Sequence, residues 1–513
     1  MFCDDKRTGY FNSPKVRSSY HKFKKLMWGA AVWNMALSLA HGLLGICTST
    51  RGGHSDKGGL QVELRKIVTT TVLILALITI STTTAAALSC SDGDICVNQS
   101  GWWRDGGAFN TSGVPIRVAV NSATAGETIY VWNGSYTENV DIATSHLTLR
   151  GEGADVVTVT AKDQGDHVFD VTANYVNISG FTAAGATVSG NAGVRLGSRQ
   201  HCIISENNCS GNHFGIWLSA SSDNNMLTSN NCLDNNKDGI YLPSSSNNTL
   251  ASNTANSNGD YGIRIDASSN NTLLGNNASL NGNHGIYLED SSNSTLASNT
   301  ANSNDNYGIY LYLSTNNTLA GNTVSNNSDG IYLTFSSNNT LLGNNASNNY
   351  RGICLWSSSN NNTLEENTAN SNNEYGIRLD NADNNNISCN WVHNNTNAGF
   401  YLMSESTDNT IERNNIIANG NYSNVSGGWE WQFRNWQSAN VSTAGNWWGT
   451  NNETRINASI SDWTYDTRWG NVITNPRLDG AVPCAPIPEL PTALLLVVGL
   501  LMLMGYARIR RKT

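Results

Sequence analysis

A four-residue phrase that returns ten times limits what this chain can fold into. Gly-Val-Arg-Leu at Gly193 is followed by variants of Gly-Ile-Tyr-Leu at Gly215, Gly239, Gly262, Gly285, Gly308, Gly330, Gly352, Gly376 and Gly399, always 22 to 24 residues apart. Two more rows run in phase. Asn207, Asn230, Asn253, Asn276, Asn299, Asn322, Asn344, Asn367, Asn390 and Asn414 each close a Thr-Leu-x-x-Asn-like phrase. Two residues later come Cys209, Cys232, Ala255, Ala278, Ala301, Val324, Ala346, Ala369, Val392 and Ile416. Self-similarity at such a period is the mark of a solenoid. Three short strands per period, each bounded by Asn, Ser or Gly, predict one coil of a parallel β-helix. Leucine-rich repeats have a similar period but need more leucines and a helical or extended return segment.

Period-2 alternation assigns the faces. Within Gly-Ile-Tyr-Leu the Ile and Leu point inward and the third residue outward. The Leu of Thr-Leu-x-x-Asn and the Cys/Ala/Val row also point inward. Four inward side chains do not offset the entropy of ordering a whole coil, so no coil stands alone and stacking must supply the rest. Asparagine suits both demands of such a stack, tolerating the left-handed backbone of a tight corner and extending an amide ladder along the axis.

Only 13% of the 513 residues are charged, and the net charge is −9. Solvation falls to Asn, Ser and Thr, and nucleic acid is excluded as a partner because phosphate binding needs clustered Lys and Arg. The period continues less strictly outside residues 191–420. His146–Gly153 and His167–Phe181 supply earlier coils, and Val118–Ile142 supplies a short cap helix leading into the first strands. Gly428–Phe433 and Ala439–Gly449 form the last coil, capped by the aromatics of Ile460–Asp466. The β-helix with its caps is therefore expected over 114–470, after a segment at 88–113 and before a linker at 471–488.

The ends carry membrane signals. Leu64-Arg65-Lys66, the apolar run Ile67–Ile80 and Ala85-Ala86-Ala87 read as a signal peptide at 64–87. Residues 1–63 would then be an extension, or the product of a start assigned too early. Leu490–Tyr506 is apolar and followed by Ala-Arg-Ile-Arg-Arg-Lys-Thr, a short transmembrane helix with a basic cytoplasmic end over 489–513. The body is expected outside the cytoplasm.

The opening Ala-Gly-Glu-Thr-Ile-Tyr-Val, the closing Gly-Asn-Trp-Trp-Gly and the repeats between them resemble the right-handed parallel β-helix proteins of the NosD and pectin-lyase-like kind. The same ends look like those of archaeal surface proteins. The resemblance implies an all-β, single-stranded right-handed solenoid. For activity it leaves three classes open: a structural or carbohydrate-binding (adhesin-like) envelope protein, a polysaccharide lyase, hydrolase or epimerase, or a copper-related periplasmic protein. It implies no cofactor, with Ca²⁺ entering only for a lyase. Pro488-Glu489-Leu490-Pro491-Thr492 is similar to the PEF-CTERM sorting motif, departing at Leu490, and implies an archaeosortase-like sorting protease as a partner at the membrane. The other implied partner is an envelope or extracellular glycan.

The third position of each phrase forms an outward stripe: Arg195, Trp217, Tyr241, Arg264, Tyr287, Tyr310, Tyr332, Cys354, Arg378 and Tyr401. Two residues on lie Asp266, Glu289, Tyr312, Trp356 and Asp380. Aromatic, guanidinium and carboxylate groups in register suit a flat sugar-binding surface, with rings on pyranose faces and charges on hydroxyls or uronates. They equally suit a cross-strand tyrosine ladder that only stabilises the sheet. Arg264, Asp266, Tyr287 and Glu289 form the densest constellation, and catalysis would fall to Arg264, Asp266 and Glu289. Neither it nor Arg378 with Asp380 has a supporting Lys or His. The histidines at 146, 167, 201, 213, 284 and 393 occupy different rung positions, so no copper or other metal site is visible. Cys209 and Cys232 are equivalent inward positions, either small core residues or a disulfide, and Cys90 with Cys96 is a second candidate pair. Of the many Asn-x-Ser/Thr sequons, Asn110, Asn133, Asn270, Asn293 and Asn338 are candidates for glycosylation.

Overall fold

A computed structural model describes residues 93–425 and 427–483. The predicted signal segment, transmembrane helix and sorting motif, and Cys90, lie outside them. Among the described residues no helix is long and apolar enough to cross a membrane.

The repeat folds as its period requires. Each Ile-x-Leu segment pairs in parallel with its counterpart on the next coil, Ile286↔Ile309, Tyr287↔Tyr310 and Leu288↔Leu311, for example. These segments build a 14-stranded sheet, the aromatic sheet, with one strand per coil. The Thr-Leu segments do the same with Leu273↔Leu296↔Leu319, in a 16-stranded sheet. The third side has short strands of two to four residues and isolated bridges such as Thr254↔Asn277. The interior is one continuous apolar column. Its Ile, Leu and Cys/Ala/Val rows are fully buried from Val194 to Ile416, as the alternation predicts.

The asparagines divide their two expected roles between different residues. The row from Asn207 to Asn414 is buried. Its amides bond along the axis: Asn253 donates its backbone N–H and its Nδ2 to Asn276 Oδ1, both at 3.0 Å. Asn276 in turn donates to Asn299 Oδ1 at 2.9 and 3.0 Å, and to the Leu250 carbonyl at 2.9 Å. A second buried row runs through Asn212, Asn235, Asn258, Asn281, Asn304 and Asn327, and a third through Asn225, Asn248, Asn271, Asn317 and Asn339. Ser245, Ser268, Ser291 and Ser314 form a fourth, hydroxyl row. The left-handed corners are taken by the residue just before each ladder asparagine. Asn247, Asn270 and Asn316 have φ near +59°, which explains the Asn-Asn dipeptide of the third row: the first residue turns the exposed corner and the second fills the buried ladder.

The glycine that opens each phrase is a matter of space. A Cβ on Gly285 would meet the Ala278 carbonyl at 2.6 Å and Asn304 Nδ2 at 2.7 Å, so here the strand runs against the second asparagine row.

The ends differ from the sequence reading in detail. The cap helix, α1, spans Pro115–Ser122 and starts earlier than Val118, with Pro at its first turn. Val114 gives it no side-chain cap. Glu138 from the next coil accepts from the Ile116 and Arg117 N–H groups at 3.2 and 2.8 Å instead. The sheet also begins before residue 114, because Ile95–Val97 pairs in parallel with Ile129–Val131 and folds back on Gly101–Arg104. At the other end a short helix, α2 (Glu453–Ala458), precedes the last strand of the aromatic sheet, Ile460–Ser461.

Cys209 and Cys232 are buried free thiols, not a disulfide. In-register neighbours in a parallel sheet sit about 4.8 Å apart with parallel Cα–Cβ bonds, beyond the Cβ–Cβ distance of about 3.8 Å that a disulfide needs. Cys96 is disulfide-bonded.

Two predictions follow from the corners and ladders. Asn276→Ala orphans the Asn253 donors in the dry interior, and denaturant unfolding is expected to register a loss of at least about 3 kcal/mol. Leu313 and Phe335 sit at exposed corners with φ of +51° in both. A left-handed backbone costs a side chain with a Cβ about 1–2 kcal/mol, so Leu313→Asn and Phe335→Asn should each raise the thermal midpoint.

Candidate functional site

Pleating and register together fix what the outer face of the aromatic sheet presents. The stripe runs in one vertical file, Arg195↔Trp217↔Tyr241↔Arg264↔Tyr287↔Tyr310↔Tyr332↔Cys354↔Arg378↔Tyr401, each residue paired with the next. A second file runs Asp266↔Glu289↔Tyr312↔Thr334↔Trp356↔Asp380↔Met403. Every predicted stripe residue is thus brought to one face.

The structure adds a third file that the alternation rule missed. The residue before each phrase glycine, at Phe214, Tyr261, His284, Tyr307 and Tyr375, also turns its side chain to this face. Tyr261 stacks on Tyr287 at 5.2 Å, His284 on Tyr307 at 4.7 Å, and Tyr307 meets Tyr310 edge-on at 5.2 Å. The irregular backbone at glycine shifts the parity by one. The signal was in the sequence, as a preference for Tyr or His immediately before Gly-Ile.

Packing between these files corrects how the face meets a ligand. Tyr287 and Tyr310 stack at 5.0 Å and 22°, and Tyr375 and Tyr401 at 4.4 Å and 11°. Tyr287, Tyr332, Tyr375 and Tyr401 are buried, and Cys354 is 1% exposed. Rings stacked along the axis spend their faces on each other, so pyranose stacking on the Tyr file is not available. The outward edges of the rings are left, together with the charged groups.

Those charged groups are paired with one another. Arg264 lies 2.7 Å from Asp266 and 3.8 Å from Glu289, and the Tyr241 hydroxyl donates to Asp266 Oδ2 at 3.1 Å. The Arg264 guanidinium also covers the Tyr241 and Tyr261 rings, at 5.0 and 5.2 Å. Arg378 pairs with Asp380 at 2.8 Å and sits 4.4 Å over Trp356. Arg195 pairs with Asp170 at 3.2 Å and lies 5.4 Å from the Trp217 ring. Arg351 clasps the fully buried Asp329 with two hydrogen bonds, at 2.6 and 2.9 Å.

Titration separates holding from proton transfer. Burial pushes Tyr241, Tyr261 and Tyr310 up to about 12 and raises Tyr287 and Tyr332 further, so all five phenols are donors at neutral pH. The sequence reading placed no histidine beside the Arg264 constellation. The structure puts His284 there, 5.5 Å from Tyr287 and 5.1 Å from Tyr310. Burial lowers it to about 3, and its Nδ1 already accepts from the Tyr307 N–H at 3.2 Å. A neutral, weakly basic imidazole with one nitrogen occupied is a poor general base. Among the described residues no group of three or more His, Cys, Asp or Glu could hold a metal ion.

The comparisons with known proteins agree on architecture. The family described as "Right handed beta helix region" matches residues 164–324, and that described as "Periplasmic copper-binding protein (NosD)" matches residues 298–453. The chain is a right-handed parallel β-helix repeat protein. Among solved structures, the A-module of mannuronan C-5 epimerase AlgE6 from Azotobacter vinelandii aligns at 16% identity and a TM-score of 0.54, over 60% of this chain and 95% of that one. The AlgE4 A-module from the same organism aligns at 16% identity and a TM-score of 0.48, over 58% and 94%. The tailspike protein 2 enzymatically active domain of bacteriophage CBA120 aligns at 12% and 0.38, over 59% and 44%. No curated protein matches the sequence.

One buried acid on this face makes a pH prediction. Asp238 is 0% exposed, its Oδ2 has no hydrogen-bond partner, and burial raises it from 3.8 to about 7. A folded-state value above the unfolded one means folding favours the protonated acid. Its contribution to stability is full below about pH 4, declines as pH rises, and is gone above about pH 7. Asp238→Asn should therefore raise the thermal midpoint at pH 8 and leave it nearly unchanged at pH 4.

Proposed function

We propose that this β-helix is an exported polysaccharide-binding protein that holds an extended glycan along the outer face of its aromatic sheet. The observation that carries the reading is the register: phenol hydroxyls, guanidinium groups and carboxylates recur once per coil in straight files. A glycan is itself a repeating line of hydroxyls, and hydrogen bonds with ionised partners supply orientation along such a face. The structural neighbour with the TM-score of 0.54 is named for mannuronan, an acidic polysaccharide, which favours a glycan as the ligand class. The apolar N-terminal run and the periplasmic description of the matched family favour a site outside the cytoplasm.

Binding is preferred over turnover because the obvious proton carriers are engaged or poorly matched. Asp266 and Glu289 face Arg264, the phenols stay protonated, and His284 is weakly basic.

The test removes hydroxyls and keeps rings. The Tyr287→Phe, Tyr310→Phe, Tyr332→Phe triple variant preserves the stack but deletes three donors. Calorimetric titration with neutral and acidic polysaccharides should give binding to the wild type and at least about tenfold weaker binding to the variant, at an unchanged thermal midpoint. Equal binding would overturn the assignment of the face. Product formation by the wild type that disappears in Asp266→Asn would replace the binding protein with an enzyme.

A further inference from the structure

The files do not stop at Tyr401. The next strand, Phe433–Trp436, pairs Arg434 with Tyr401 and Trp436 with Met403, so this Arg-x-Trp extends both files onto the last full coil. Arg434 differs from the other arginines of the face. Arg195, Arg264, Arg351 and Arg378 each have a carboxylate partner. Among the described residues Arg434 has no ion pair, and its Nε, like those of Arg195 and Arg378, is buried without a hydrogen bond. Burial lowers its pKa, and the carboxylate that acts on it from a distance, Glu374, lies 4.0 Å from Arg351.

What surrounds Arg434 is aromatic. Its guanidinium lies 4.9 Å from the Trp431 ring centroid and 5.6 Å from that of Trp436. Trp436 stacks on Trp469 at 5.0 Å, Trp469 on Tyr465 at 5.9 Å, and Tyr465 meets Trp431 edge-on at 5.1 Å. Trp436 and Tyr465 are 41% and 66% exposed, unlike the closed Tyr file. A half-buried cation with no partner, framed by accessible rings, has the two elements that bind a sugar acid. The planar guanidinium fork fits a carboxylate, and the exposed parts of Trp436 and Tyr465, which keep 41% and 66% of their surface open, offer apolar surface to a pyranose beside it.

We propose that Arg434, Trp431, Trp436 and Tyr465 form a subsite for a carboxylate-bearing sugar residue at the C-terminal end of the aromatic sheet. The subsite rests on the glycan-binding reading for its ligand class but uses none of the residues that carry that reading. Arg434 anchors the carboxylate, and Trp436 and Tyr465 flank the ring.

Short and long ligands separate the two ideas. Trisaccharides of mannuronate and of galacturonate, and the same trisaccharides with their carboxyl groups reduced to alcohols, would be titrated into the intact protein, Arg434→Gln and Trp436→Ala. The acidic trisaccharides should bind, more weakly as salt rises, and lose about tenfold or more in affinity with Arg434→Gln. The reduced forms should bind weakly to all three proteins. Thermal unfolding of each variant checks that it is folded, and Arg434→Lys, which keeps the charge without the fork, should recover only part of the affinity. Acidic trisaccharides that bind Arg434→Gln as well as wild type, or reduced ones that bind equally well, would overturn the subsite. Polymer binding lost in the triple Phe variant but intact in Arg434→Gln would leave the sheet reading standing without it. Trisaccharide binding lost in Arg434→Gln, with polymer binding indifferent to the triple Phe variant, would do the reverse. No binding of either ligand overturns both.

Discussion

Hydrogen bonding between equivalent residues on successive coils carries this fold. No coil has enough apolar surface to pay for its own order. Each therefore depends on neighbours that complete its sheets, fill its Ile, Leu and Ala rows, and satisfy its buried amides. The asparagine rows are the most demanding part, because an amide in a dry interior must find partners for two donors and an acceptor. Stacking asparagine on asparagine does this with one residue type: Asn276 accepts from the coil on one side and donates to the coil on the other. A gap leaves groups on two coils unmatched, so the interaction that stabilises the stack also enforces its register.

Register on the inside sets chemistry on the outside. Because Ile286 must stand on Ile263 and under Ile309, Tyr287 must stand between Arg264 and Tyr310. The face is a set of vertical files whose composition changes along the axis: ion pairs and tyrosines around Arg264, nearly closed tyrosine stacking from Tyr287 to Tyr332, and partly exposed tryptophans at Arg434. Burial sorts these regions by what they can do. It holds the phenols protonated and His284 neutral, which suits hydrogen bonding to hydroxyls and works against proton abstraction. It also closes the ring faces of the central tyrosines, so a ligand there meets their hydroxyl edges. Near the C-terminal cap Trp436 lies between Tyr401 and Trp469 yet remains 41% exposed.

The solenoid, its inward rows, the strict files of the aromatic sheet and the need for caps were all legible in the sequence. Parallel in-register stacking turns a linear period into a three-dimensional neighbour list, and a period of 22 to 24 residues can be counted. The pairing of Arg264 with Asp266 and Glu289 followed from the same counting. Tertiary structure decided what counting cannot reach. The glycine shifts the pleat by one residue and so brings His284 and Tyr307 onto the aromatic face. The left-handed corner takes the first residue of Asn247-Asn248, Asn270-Asn271 and Asn316-Asn317 and leaves the second to the ladder. Cys209 and Cys232 stand too far apart for a disulfide although they are vertical neighbours. Arg434 is isolated because its carboxylate neighbours are engaged elsewhere, a property of three-dimensional distance and desolvation with no trace in the spacing of residues. A repeat sequence specifies which residues stack. Which of them remain unpaired depends on side-chain packing across coils and at the cap, where the repetition ends.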